Sequence, residues 1–141
     1  MSTDPAITPL KQWEGTIFLA HDSLVVIAPI IVNNEQKYDN FLRQIPQNRI
    51  QMRQPAPPNE DPLRERPAID FDSYFLVVIR SNTWIEKPKL IDIIDAQEQR
   101  IIRYSIPFNQ QTEMLAQPDG VGRYLAMLLL QTERAIHFDK Q

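Results

Sequence analysis

Six successive residues, Tyr74-Phe75-Leu76-Val77-Val78-Ile79, are all large and apolar, so both alternating sets of side chains avoid water. A strand with one wet face alternates polar and apolar residues. A run that is apolar on both sets reads instead as a strand covered on both faces. The segment from Phe71 to Arg80 is therefore the central strand of the fold, and the rest of the chain is read around it.

Upstream, Gly15 to Ala20 and Leu24 to Val32 are two apolar, strand-forming runs about a polar link, His21-Asp22-Ser23. They predict a hairpin. Pro29 cannot donate to a sheet ladder, so the second run lies at an edge or is interrupted there. The spacing of Tyr38, Phe41, Leu42 and Ile45 predicts a helix over 34–45, with Asn33 as the cap and Gln36 completing a capping box. Pro46 ends it. Alternation in Arg49 to Arg53 predicts a half-exposed strand. Downstream, Lys89 to Asp95 and Arg100 to Phe108 predict a hairpin with a loop of four or five residues. Periodicity leaves 121–130 open between helix and strand; unpaired sheet edges upstream favour strand, turning at 131–134 into another at 135–138.

The expected fold is one α+β domain. It is mainly antiparallel sheet, sandwich-like or half-barrel-like, with the single helix at 34–45. Residues 1–12 read as a mobile tail and 13–141 as the domain, with a Pro-rich excursion at 54–67. That excursion holds five of the twelve prolines. A loop of such length without structure of its own is usually functional or disordered.

Composition narrows the function classes. Twelve prolines against three glycines leave too few glycines for loops that cradle phosphates or dinucleotides. There is no cysteine, hence no thiolate metal site and no cysteine nucleophile. The net charge of −3 is spread evenly. This argues against a nucleic-acid footprint, which concentrates positive charge. The longest apolar run, Leu24 to Val32, is far shorter than the roughly twenty residues of a membrane helix. The N-terminus has no signal-peptide pattern. The expected location is the cytoplasm, away from the membrane.

No catalytic constellation stands out. His21 and His137 lack metal-ligand spacing, so no metal and no cofactor are expected. Asp70 and Asp72 flank Phe71 at the start of the central strand and read as strand-end residues rather than an acid/base pair. Ser2, Ser23, Ser73, Ser81 and Ser105 all lack a Gly-x-Ser-x-Gly context. The arginines are interleaved with acids and read as solvated charge. Trp13 and Trp84 are candidate interface anchors, since tryptophan is enriched at binding hot spots. Pro55, Pro57, Pro58, Arg64 and Arg66 in the arm join them as candidate partner-binding residues. A proline-rich arm has less backbone entropy to lose on docking.

The stretch Pro67-Ala68-Ile69-Asp70-Phe71-Asp72, followed by Tyr74 to Ile79, resembles the core of PrcB-like domains, the protease-complex-subunit family. The resemblance covers residues 67–108, and Ser81-Asn82-Thr83-Trp84-Ile85 lacks the glycine-rich turn that family usually has. It implies a non-catalytic, mainly β accessory module. The residues themselves point to a non-catalytic interaction module that binds a protein partner, or a second copy as a homodimer, through the Pro-rich arm and an edge strand. On that reading, removing residues 55–66 spares the fold and weakens association. The alternatives are a small-ligand-binding β domain with an apolar pocket, and a hydrolase using Asp or His groups.

Overall fold

A computed structural model describes residues 7–19, 28–47, 58–107 and 120–141. In chain order these form β1 (Lys11–Phe18), β2 (Ile30–Val32), α1 (Glu35–Leu42), a 3-10 turn (Pro62–Glu65), β3 (Tyr74–Arg80), β4 (Lys89–Ala96), β5 (Gln99–Ser105), β6 (Val121–Leu130) and β7 (Ala135–Lys140). Strands β1, β6, β3 and β2 form, in that order, an antiparallel four-stranded sheet. Strands β4, β5 and β7 form a second sheet, in which β4 and β5 are antiparallel and β5 and β7 parallel. Both sheets are open, and the fold is α+β as the sequence predicts.

The two apolar faces of β3 set the layering. On one face Leu76 and Val78 meet Tyr38 and Phe41 of α1, Leu63 of the 3-10 turn, and Tyr124 and Ala126 of β6. On the other, Phe75, Val77 and Ile79 meet Ile93 of β4, Ile102 and Tyr104 of β5, and Leu125, Met127 and Leu129 of β6. The run 121–130 is thus a strand: β6 lies between β1 and β3 and is itself covered on both faces.

Several local expectations are corrected. The described parts of the two N-terminal runs, 15–19 and 28–32, do not pair with each other. β1 joins β6 and β2 joins β3, so they form opposite edges of the sheet. Apolar runs specify burial, not the neighbour, and β6 offers β1 a longer partner. The helix cap is Asn34, not Asn33. Its backbone is extended and its Oδ1 accepts from Lys37 N at 2.8 Å. Glu35 then occupies the first turn, where an acid suits the helix dipole. Past Leu42 the chain tightens through bonds from Gln44 N to Phe41 O and from Ile45 N to Leu42 O, which keeps Ile45 buried. The predicted strand at 49–53 lies outside the described residues.

Residues 7–12 are not a loose tail. Lys11 and Gln12 belong to β1. Ile7 N donates to Ile93 O at 2.8 Å and Leu10 N to Leu128 O at 2.9 Å, so this segment crosses from β4 to the first sheet. The β4–β5 hairpin turns tightly through Gln97-Glu98, since Ala96 pairs with Gln99. Gln97 takes φ +57, the left-handed region, without being glycine. A side chain there costs about 1–2 kcal/mol, against roughly 0.5–1 kcal/mol for glycine's extra unfolded freedom. Gln97→Gly is therefore expected to stabilise the protein by up to about 1 kcal/mol. A lower denaturation midpoint would contradict this.

Candidate functional site

Among the described residues a groove of about 520 Å³ lies beside β2 and β7. Pro29 leads into β2, and the strand starts at Ile30. Arg80, at the end of β3, donates from Nη2 to Ala28 O at 2.8 Å and so tethers this entry. Burial lowers the pKa of that guanidinium from its ordinary value. β2 pairs with β3 on one side only; among the described residues its other edge carries no strand. Of the two expectations at Pro29, edge or interruption, β2 is an edge strand among the described residues, and it begins only after the proline.

Helix α1 runs along this edge. Lys37, Asn40, Phe41 and Gln44 line the groove from one side, and Phe138 of β7 lines it from the other. Their spacing, i, i+3, i+4 and i+7, is a single helical face. Gln44 is held by its backbone, whose oxygen accepts from Phe18 N at 2.7 Å. Its side-chain Oε1 is buried with no hydrogen-bond partner. An unsatisfied buried acceptor of this kind costs roughly 1–3 kcal/mol. Among the described residues the groove thus joins an unpaired strand edge, apolar walls and the polar residues Lys37, Asn40 and Gln44.

The residues singled out in the sequence do not assemble into one site. Trp13 is half-buried on β1 and packs against the helix-side core. Trp84 is half-buried in the connection after β3 and belongs to neither core cluster. Pro55 and Pro57 lie outside the described residues, and Pro58 is exposed. Arg64 donates to Asn59 O at 2.7 Å, within its own loop. Arg66 is fastened to α1: it bonds Glu35 at 2.6 Å and Asp39 at 2.9 Å, and lies over the Tyr38 ring. Those acids raise its pKa. The groove residues Lys37, Asn40 and Gln44 escaped the sequence reading because they look like the plain wet face of an amphipathic helix. Only the tertiary structure places them together beside the edge of β2.

Residues 58–67 are likewise no free arm. Asn59 N donates to Gln47 O at 2.9 Å, and Asn59 Nδ2 to Pro46 O at 2.8 Å. Asp61 Oδ1 caps Leu63 N at 3.0 Å, while its Oδ2 accepts from Tyr124 OH. Leu63 is 0% exposed. The expectation that removing residues 55–66 spares the fold is corrected through the described part, 58–66: composition marks the loop, but Leu63 anchors it in the core.

Gly15 makes room for the Asp61–Tyr124 contact, since a Cβ there would stand 2.5 Å from Asp61 Oδ2. Burial, then the bond to Asp61, push the Tyr124 pKa far up. Burial is also the chief cause raising Tyr38 to about 12. Both phenols stay neutral in the fold, whereas unfolded tyrosine ionises near pH 10. Their raised folded pKa values give stability that is complete below about pH 10 and is lost as pH climbs toward 12. Tyr124→Phe is expected to cost about 1–2 kcal/mol at pH 8 and to fall less steeply between pH 9 and 11. Urea midpoints at those pH values check this; parallel curves for both proteins would contradict it.

Elsewhere the polar groups serve the fold. Asp70 accepts from Asp72 N at 3.0 Å and from Ser73 Oγ at 3.1 Å, closing the turn before β3. Arg100 and Asp95 pair across the β4–β5 ladder, and Arg100 also reaches Leu130 O. Arg103 grips Asp92 with both Nε and Nη2. These arginines lower the pKa values of Asp95 and Asp92. His137 is exposed on β7, and His21 lies outside the described residues. A small cleft of about 90 Å³ near Glu14, Lys87 and Arg123 holds separate charges, with Arg123 bonded to Thr16 Oγ1 at 3.1 Å. No helix among the described residues is long and apolar enough to cross a membrane. No group of three or more His, Cys, Asp or Glu residues that could hold a metal occurs among them.

Compared with family models, curated proteins and solved structures, the chain matches none.

Proposed function

We propose that the protein is a non-catalytic interaction module that receives an extended segment of a partner protein along β2. The observation that carries this is the outer edge of β2, which pairs with no strand among the described residues, beside a groove lined by α1. Strand addition draws affinity from backbone bonds and specificity from alternating side chains. The Pro-rich segment has a different part in this reading from the one its composition suggests. Its described portion braces α1, through Leu63 and Arg66, and α1 forms one groove wall. The resemblance over 67–108 to PrcB-like domains implies the same class of function. A protein partner fits better than nucleic acid, given a net charge of −3. A cytoplasmic location belongs to the same proposal.

The test fills the groove. Asn40 is exposed on α1 and lines the groove without belonging to either core cluster. Linear peptides selected by display on the whole protein are expected to lose at least about tenfold in affinity, roughly 1.4 kcal/mol, for the Asn40→Trp variant at unchanged thermal stability. They are expected to keep their affinity for Trp84→Ala. Selected peptides indifferent to Asn40→Trp would reject the groove as the binding site.

A further inference from the structure

We infer that the segment docked on β2 is one in which apolar and acidic residues alternate. The inference rests on the strand-addition reading and specifies its partner chemistry. An added strand continues the sheet, so its side chains point alternately to the sheet's two faces. The two faces beside β2 differ. Ile30 and Val32 belong to the helix-side core, and Ile31 to the core between the sheets. Docked residues on the second face meet Ile31 and Phe138, and burial there favours apolar side chains.

Docked residues on the first face meet Lys37, Asn40 and Gln44. Among the described residues Lys37 is the one charged side chain lining the groove, and it makes no ion pair with another of them. The acids of α1 are engaged elsewhere. Glu35 and Asp39 stand on the far side of the helix, where Arg66 binds both. Residues two apart on a helix differ by about 200° in direction, which separates Asp39 from Lys37. A carboxylate on the docked strand therefore finds a cation that no described acid opposes. A basic residue finds Lys37 alone. Complementary charge of this kind selects partners more than it adds affinity. With only three residues in β2 the backbone ladder is short, so the side chains must decide which segment binds.

The experiment uses the full chain and fluorescently labelled, end-blocked peptides of about nine residues: alternating Val/Glu, alternating Val/Lys, alternating Val/Thr, and Val/Glu with a central proline. Anisotropy titration at low salt is expected to show micromolar binding of Val/Glu, at least about tenfold tighter than Val/Lys. Lys37→Glu is expected to reverse that order. The proline peptide and the Asn40→Trp variant are expected to lose binding. Equal binding of Val/Glu, Val/Lys and Val/Thr, abolished by Asn40→Trp, would overturn the acidic preference while leaving strand addition intact. Failure of every peptide to bind, or binding that survives Asn40→Trp and the central proline, would overturn both. A dimer of the free protein that Asn40→Trp splits would make a second copy the occupant and overturn the inference.

Discussion

Gly122→Ala is expected to cost at least about 3 kcal/mol, at the upper end of what overpacking does, and to leave little folded protein at 37 °C. The reason is what stands over Gly122. This residue lies in β6 opposite Ile17, and a Cβ built on it falls inside contact distance of the Ser81 carbonyl oxygen and 3.1 Å from the Ser81 carbonyl carbon. A side chain in the way could rotate aside, but a carbonyl cannot. Ser81 is also pinned: its N donates to Arg123 O at 2.8 Å, and its Oγ accepts from Arg123 N at 3.1 Å. Moving Ser81 would break those bonds at the join of β3 and β6, the two strands that share both cores. Gly15→Ala is the natural control. Its added methyl meets chiefly the Asp61 carboxylate and the Tyr124 ring, which are side chains. Equilibrium denaturation of both variants checks the contrast. A Gly122→Ala cost below about 1 kcal/mol would show that the approach of Ser81 does not constrain the fold.

Leu63→Ala is expected to cost about 2–5 kcal/mol, the range for a leucine removed from a closed core. Leu63 is 0% exposed although it comes from the segment richest in proline. It contacts a cluster that includes Tyr38, Phe41 and Tyr124, so its loss opens a void beneath α1. The 3-10 turn would then be held mainly by Asp61 and by the exposed pairs of Arg66, and exposed pairs are weak. Two measurements follow: the denaturation midpoint, and the rate of proteolytic cleavage within 58–66. Both should worsen together, because anchoring by a buried side chain sets the local opening free energy. A destabilised protein with no faster cleavage there would mean that other contacts hold the segment. If the groove binds a strand, Leu63→Ala should also weaken peptide binding, since α1 loses part of its support.

The sequence was most legible where side-chain chemistry acts over a short span. Tyr74 to Ile79 announces a strand buried on both faces, and the structure places it between two apolar layers. Tyr38, Phe41 and Ile45 announce the inner face of a helix, and all are buried. It was least legible where a choice among distant partners was needed. Two apolar runs near the N-terminus look like a hairpin, yet each pairs with a later strand. β7 lies parallel to β5 rather than folding back on β6. The candidate site followed the same division. Tryptophans, prolines and arginines attract attention by residue type, whereas Lys37, Asn40 and Gln44 acquire meaning only from an open edge beside them.

By itself, then, the sequence determined the class of the molecule: a sheet-rich α+β fold with a helix carrying Tyr38 and Phe41 and a doubly covered central strand. Those properties follow from hydrophobic period and from backbone freedom at glycine and proline, which are local. Only the tertiary structure decided that β1 and β2 sit at opposite edges, that Leu63 turns a proline-rich loop into a brace, and that α1 and β7 leave a groove beside a strand whose outer edge pairs with no described residue. These depend on which apolar face meets which across long stretches of chain. Burial energy is nondirectional, so periodicity states that a face must be covered without stating by what.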